Sequence, residues 1–125
     1  MLYIFTSTSL TEYGHYSFDF IKVAEAKKLI EREKEFVSTI YKEGTAILFS
    51  TLVGIDIPAR WGFRGVNTHD RVLRPGDKAI VFKVKKTKLI KQAEDGVSFT
   101  VEQIKEACFP LGLIVCYKKR ININI

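Results

Sequence analysis

The stretch FVSTIYKEGTAILFSTLVGIDIP, residues 36–58, decides the fold. Its apolar and β-branched beginning, FVSTI, is typical of a central buried strand. A turn follows, and a helix is predicted from Gly44 to Leu52, with Gly54 as its C-terminal cap. Lys42 lies in the turn, where its positive charge opposes the positive end of the helix dipole. The pattern therefore indicates either a solvated lysine or a lysine that faces an anion.

The elements predicted around this unit give an α/β fold. In chain order they are a hairpin of strands 2–6 and 16–20, a helix over 23–34, the strand 36–40, the helix 44–52, a strand over 78–85, a helix opened by the capping-box pattern TVEQ at 100–103 and ending near Pro110, and a strand over 112–117. We expect a single-layer mixed β-sheet of about five strands flanked by helices.

Domain organisation follows from the length and from two atypical segments. A chain of 125 residues is one compact domain by length. We assign residues 1–117 to this domain, with a probable insertion at 61–73. The basic segment 118–125, KKRININI, is read as a C-terminal tail whose alternation is compatible with an edge strand, a partner-binding strand or a frayed end.

Composition narrows the possible partners. The net charge of +6 and the isoelectric point near 9.4 favour an anionic partner such as a nucleotide or nucleic acid. No apolar run reaches the ~18 residues of a membrane span, and the N-terminus lacks a basic signal-peptide region, so we expect a cytoplasmic protein without membrane contact. Cys108 and Cys116 have no zinc-type spacing, and we expect neither a metal nor a cofactor.

Arginine is concentrated in one segment. Four of the six arginines lie in RWGFRGVNTHDRVLR, residues 60–74, together with Trp61 and Phe63. Guanidinium groups pair with phosphate and stack on bases, so this clustering favours a phosphate or nucleobase surface, such as a lid over a small ligand. A solvated hairpin held by arginine–aspartate pairs is the alternative interpretation.

Three segments together resemble the viral ring nuclease family. They are the strand–turn–helix unit extended to FVSTIYKEGTAILFSTLVGIDIPAR, the later LRPGDKAIVFKVK, and the closing FPLGLI. The resemblance runs from LYIFTSTS to about Tyr117. Members are type III anti-CRISPR proteins of archaeal viruses and phages, with bacterial relatives. The resemblance implies a homodimer that binds cyclic tetra-adenylate across its two-fold axis and linearises it without metal, a ribose 2′-hydroxyl attacking the adjacent phosphate.

The sequence departs from this family at its catalytic position. The family pattern S-x-I-G-H-x-[ST]-T supplies a histidine as the proton donor, whereas this chain has TIYKEGT, with Tyr41 and Lys42 in place of glycine and histidine. A general acid works best when its pKa is near the working pH, and lysine, at roughly 10.4, is far from it. Lys42 at the catalytic position therefore suits a phosphate clamp better than a proton donor.

Further ligand contacts follow from the resemblance and from the basic segments. Ser9 matches a family serine after the first strand, and Arg60 matches a basic position after the second helix. The candidate ligand-binding residues are Thr6, Thr8, Ser9, Arg60, Arg64, Lys85, Lys86 and Lys88. The three lysines replace a basic and acidic pair of the family, and the next acid is Glu94. His15 or His69 is an alternative proton donor if the fold brings it to the dimer axis.

Three functions fit these observations. The first is slow, metal-independent cleavage of a cyclic oligoadenylate, which would antagonise or damp type III CRISPR signalling. The second is a non-catalytic sponge for the same signal. The third is a small basic protein that binds DNA or RNA, whose affinity would fall steeply with salt.

Overall fold

The computed structural model describes residues 1–7, 14–33, 35–59 and 73–119. Within these residues it contains five strands and four helices. In chain order they are β1 (Leu2–Phe5), β2 (Gly14–Phe20), α1 (Val23–Glu33), β3 (Phe36–Ser38), α2 (Glu43–Val53), β4 (Lys78–Val81), α3 (Lys88–Glu94), α4 (Val101–Ala107) and β5 (Gly112–Lys119).

The five strands form one mixed sheet in the order β2-β5-β4-β1-β3. β1 lies between β3 and β4 and is parallel to both, whereas β5 is antiparallel to β4 and to β2. The predicted α/β class, with a mixed sheet of about five strands flanked by helices, is confirmed. Because β1, β3 and β4 are parallel, their carboxyl ends meet at one edge of the sheet, here named the carboxyl edge.

The two faces of the sheet are buried by different means. Alternate side chains of the strands, such as Leu2, Ile4 and Ile80, lie in the main core, to which all four helices contribute buried residues. The intervening positions, such as Phe5 and Val81, belong to a smaller cluster that draws on no helix among the described residues. The helical layer therefore lies on one face, and it determines where cavities form.

Two strand predictions are wrong. β2 does not form a hairpin with β1 but pairs with β5 over the register Gly14↔Lys119 to Phe20↔Gly112. β3 is not central but occupies an edge of the described sheet and has three residues. The apolar character of FVSTI reflects burial and not a central position in the sheet. Ile40, for example, follows the strand but is fully buried in the main core.

The region after β4 also differs from the prediction. The predicted strand 78–85 ends at Val81, and the lysine-rich stretch beyond it leads into α3, a helix that the sequence analysis did not predict. Leu89 and Ala93, one helical turn apart, are the buried residues of this helix. A helix of seven residues is too short to give a clear periodic signal, which is why the sequence analysis missed it.

The ends of the helices were predicted more accurately than the strands. α1 and α2 begin and end within one residue of the predicted positions, and Gly54 caps α2 in the left-handed conformation with φ of 70°. The capping box of Thr100 and Gln103 opens α4, as predicted. Among the described residues, no helix is long and apolar enough to span a bilayer.

Most of the predicted insertion and tail lies outside the described residues. Leu73, the last residue of the segment 61–73, is 1% exposed and belongs to the smaller cluster. β5 continues to Lys119, two residues into the segment 118–125 that was assigned to the tail.

Candidate functional site

A cavity of about 230 Å³ lies at the carboxyl edge of the sheet. The residue after β1, the first three residues after β4, and the start of α2 all contribute to it. Its lining residues are Thr6, Tyr41, Lys42, Thr45, Phe82, Lys83, Val84 and Ile90. In open α/β sheets the ends of parallel strands leave such a crevice, and ligands bind there because loops and helix N-termini converge on it.

The lining of this carboxyl-edge cavity combines an apolar floor with cationic and hydroxyl groups. Phe82 and Val84 are buried, whereas Lys42 and Lys83 are exposed. Neither ammonium forms an ion pair with a carboxylate of the described residues. Two lysines without an ion-pair partner among the described residues, together with Thr6 and Thr45, give this cavity a lining chemically suited to an anion with several oxygen acceptors, such as a phosphate diester.

The start of α2 is capped by the side chain of a residue that is distant in the sequence. Lys42 is the N-cap residue, in extended conformation, and its side chain makes no capping hydrogen bond. Instead, the Gly44 N–H donates to Oε1 of Glu94 at 3.2 Å, across 50 positions of sequence. The carboxylate at the end of α3 therefore lies where the helix dipole favours negative charge.

Gly44 is what allows this contact. A Cβ at this position would lie 2.8 Å from the carbonyl carbon of Ile90 and closer still to its oxygen. The backbone of α3 therefore approaches α2 more closely than any side chain at this position would permit. This approach brings Glu94 to the helix start and Ile90 into the wall of the carboxyl-edge cavity.

The predicted site residues are only partly brought together. Lys42 and Thr6 line the carboxyl-edge cavity. Lys85, Lys86 and Lys88 do not line it: Lys85 lies beside the ring of Phe109, and the other two are exposed at the start of α3. Thr8, Ser9, Arg60 and Arg64 lie outside the described residues.

Neither histidine is found at this cavity as a proton donor in the described part of the chain. His15 is exposed near the start of β2, an edge strand of the described sheet. Because β2 runs in the same direction as β4, its start lies away from the carboxyl edge. His69 lies outside the described residues.

Three residues of the site were missed from the sequence. Lys83 was missed because it lies inside the predicted strand 78–85, and it reaches the carboxyl edge only because the strand ends at Val81. Thr45 lies inside the segment that was predicted as a helix, where nothing in the sequence marks it as a residue of the site. Glu94 was noted only as a distant acid, because its arrival at α2 depends on the unrecognised helix α3.

A second cavity, of about 480 Å³, lies in the helical layer between the starts and ends of neighbouring helices. Its lining residues are Ile21, Lys22, Val23, Ala24, Leu52, Lys105, Cys108, Phe109, Pro110 and Leu111. Burial raises the pKa of the Cys108 thiol to about 11, although the ammonium of Lys85 opposes the shift. The thiol is therefore protonated at neutral pH and is not an activated nucleophile.

Neither cavity has the ligands of a metal site within the described ranges. No group of three histidine, cysteine, aspartate or glutamate residues could hold a metal ion among residues 1–7, 14–33, 35–59 and 73–119.

Fold and site together define a small basic α/β domain with a lysine-lined cavity at the ends of its parallel strands. The chain belongs to the STIV B116-like family, whose sequence pattern matches residues 2–111. Its structure is similar to that of B116 of Sulfolobus turreted icosahedral virus, with a TM-score of 0.64 and 13% sequence identity, over 91% of this chain and 97% of that chain. At this identity the likeness shows the fold alone. Among curated proteins, none matches the chain.

Proposed function

We propose that this protein binds a cyclic oligoadenylate, with cyclic tetra-adenylate as the first candidate, and cleaves it slowly without a metal. The observation that carries this proposal is the carboxyl-edge cavity, which is lined by Lys42 and Lys83, two lysines that form no ion pair with a carboxylate of the described residues. Lys42, the residue at the position of the catalytic histidine in the family resemblance, is also one of the residues that line this cavity. The likeness to a viral protein is compatible with a role in damping type III CRISPR signalling.

The size of the cavity argues for two copies acting together. At about 230 Å³ it is smaller than the ~300–1,000 Å³ typical of small-molecule sites, so one copy would enclose only part of a cyclic tetranucleotide. A two-fold dimer would join two such cavities around a symmetric ring. Tyr41 and Ile47, which are 49% and 38% exposed beside Lys42 in the sequence, supply apolar surface for such a contact.

The expected chemistry is slow. Positioning of the ribose 2′-hydroxyl in line with the phosphate, and cations on the phosphate oxygens, both lower the barrier. Among the described residues, no histidine lines the cavity, so the proton donor that the resembling family uses is not found there. If the ring is cleaved, the reaction should continue in EDTA and leave 2′,3′-cyclic phosphate ends.

A ligand screen tests binding. Thermal unfolding would be followed with cyclic oligoadenylates of several ring sizes, linear tetra-adenylate and duplex DNA, since a ligand of the native state raises the melting temperature. Cyclic oligoadenylate should stabilise the protein most. Lys42→Ala should weaken its binding by about 1.5–3 kcal/mol, or roughly 10- to 150-fold, as expected for a charge-assisted bond. Lys28→Ala, which removes an exposed lysine of α1, is the matched control and should leave binding unchanged.

Two outcomes would replace this proposal. Recovery of intact cyclic tetra-adenylate after hours with excess protein would favour a sponge, which the lysine at the histidine position already suggests. Stabilisation by duplex DNA alone, with a steep salt dependence, would favour a DNA-binding protein. Equal losses in Lys42→Ala and Lys28→Ala would mean that net charge, rather than the carboxyl-edge cavity, governs binding.

A further inference from the structure

Phe109 is an exposed aromatic residue flanked by two lysines at the carboxyl edge. Its side chain is 44% exposed, although it follows α4 within the core-forming part of the chain. The ammonium nitrogen of Lys83 lies 5.5 Å from the centre of its ring, and that of Lys85 lies 5.6 Å away. Such an arrangement offers a π-face and two positive charges to the same ligand.

The backbone holds these three residues in fixed register. The Phe109 N–H donates to the Lys83 carbonyl at 3.0 Å, and the Lys85 N–H donates to the Ala107 carbonyl at 2.7 Å. Between them, Val84 pairs with Cys108 in an antiparallel bridge. Because Lys83 and Lys85 are two residues apart in an extended segment, both side chains project to the same side as the ring.

We propose that Phe109 is a stacking site for a purine base, and that Lys83 and Lys85 bind a phosphate of the same nucleotide. This rests on the proposed function, since the nucleotide is taken to be one unit of the bound oligoadenylate. Lys83 also lines the carboxyl-edge cavity, so a phosphate held there lies within a nucleotide's length of the ring. A ligand that carries a flat π-face and an anion a few ångströms apart matches this surface, and a nucleotide is such a ligand.

The strengths of the competing contacts favour the base over the lysines. An ammonium over an exposed aromatic ring contributes only a factor of about 2 to 5 in an equilibrium constant. A base stacked on an aromatic side chain contributes roughly 5- to 150-fold in affinity. A base therefore displaces an ammonium from the ring, and the released ammonium is then beside the phosphate.

The second cavity gives the stacked base an apolar neighbourhood. Phe109 lines this cavity together with Pro110 and Leu111, and at about 480 Å³ its volume is in the range typical of small-molecule sites. Two lysines line it as well, Lys22 before α1 and Lys105 of α4, and Lys105 is already engaged by Glu102 at 3.7 Å. The apolar part of the wall beside Phe109 therefore offers a surface for an uncharged ring.

The experiment compares ligands with and without a base in the full-length protein. Affinities for adenosine 5′-monophosphate, ribose 5-phosphate and cyclic tetra-adenylate would be measured by calorimetry for the wild type, Phe109→Leu and Phe109→Trp. Phe109→Leu should weaken adenosine 5′-monophosphate and cyclic tetra-adenylate roughly 5- to 150-fold while leaving ribose 5-phosphate unchanged. Phe109→Trp should restore binding, because it returns an aromatic face. Tyr117→Leu, at an exposed aromatic of β5, is the matched control.

The outcomes separate this inference from the proposed function. If the wild type binds cyclic tetra-adenylate and Phe109→Leu binds it equally well, the stacking site is wrong and the proposed function stands. If the wild type does not bind the cyclic ligand but still prefers adenosine 5′-monophosphate to ribose 5-phosphate through Phe109, the stacking site stands and the proposed function is wrong. Loss of ribose 5-phosphate binding in both Phe109→Leu and Phe109→Trp would show that Phe109 supports the phosphate contacts rather than a base, and would overturn the stacking role.

Discussion

The starts of α2 and α4 solve the same problem in opposite ways. At α4, the Thr100 hydroxyl accepts from the Gln103 N–H at 3.2 Å, and the Gln103 side chain accepts from the Thr100 N–H at 2.8 Å. All of these groups lie within one turn of the helix they stabilise. At α2, the capping side chain is Glu94, which belongs to a different helix.

The two helix starts differ in whether the capping group could be replaced by a ligand: a bound anion could take the place of Glu94 at α2, whereas the cap of α4 is part of that helix. A local cap stabilises only its own helix, whereas the Glu94 contact also ties α3 to α2 beside the carboxyl-edge cavity. Because Glu94 supplies a negative charge at a helix N-terminus, an incoming anion would compete with it for the same electrostatic preference. The variants below test this difference, from the largest expected effect to the smallest.

Gly44→Ala should break the α2–α3 contact. The added methyl group would collide with the Ile90 carbonyl, which is backbone and cannot rotate away, and overpacking of this kind costs about 3 kcal/mol of unfolding free energy. Gly54→Ala is the matched control at the other end of α2, where only Lys27 lies near and the left-handed φ costs about 1–2 kcal/mol. Urea unfolding measures both. A smaller loss in Gly44→Ala than in Gly54→Ala would contradict the close approach of α3.

Thr100→Ala should remove the local cap and nothing else. The expected loss is about 1 kcal/mol of unfolding free energy, because the Gln103 N–H in the first turn of α4 loses its acceptor. Thr87→Ala is the control, since Thr87 begins α3 without a side-chain capping bond and should change stability much less. Neither change should alter the binding of ribose 5-phosphate. Equal destabilisation by both would mean that the capping box contributes little.

Glu94→Gln should have the smallest effect on folding and a positive effect on anion binding. Glutamine keeps an oxygen acceptor for the Gly44 N–H, so unfolding free energy should change by about 0.5 kcal/mol or less. Removal of the negative charge beside Lys42 should strengthen phosphate binding a few-fold at low salt, an effect that salt screens. Asp95→Asn makes the same charge change one residue later, at a residue paired with Lys91. An equal gain in both variants would indicate net charge rather than competition at α2.

What could be predicted from the sequence follows the same division between local and distant contacts. The ends of α2 and the capping box of α4 were predicted because Gly54, Thr100 and Gln103 act within a few residues of the elements they end or begin. The pairing of β2 with β5 was missed because it joins residues about a hundred positions apart, and no local pattern encodes it. The position of β3 was missed for a related reason: the apolar segment 36–40 indicated burial, and burial alone does not say where in the sheet a strand lies.

The candidate site shows the same limit. Lys42 and Thr6 were reached from the sequence, Lys42 from its unusual position at a helix start and Thr6 as a hydroxyl near Ser9, the serine that the family resemblance singled out. Glu94 and Phe109 were not, because each becomes relevant only through a partner elsewhere in the chain: the Gly44 N–H for one, and Lys83 and Lys85 for the other.

The side chain of Lys42 makes no capping hydrogen bond, so replacing it should change the chemistry of the cavity without changing the stability of the fold. Since the residue caps α2 only through its backbone, and Glu94 supplies the side-chain acceptor, its side chain has no partner in the helix start to lose. A histidine, an arginine or a neutral residue could stand there while the domain folds as before. Under the proposed function, a single exchange of a side chain that the start of α2 does not use would therefore decide between cleaving the ligand and only holding it.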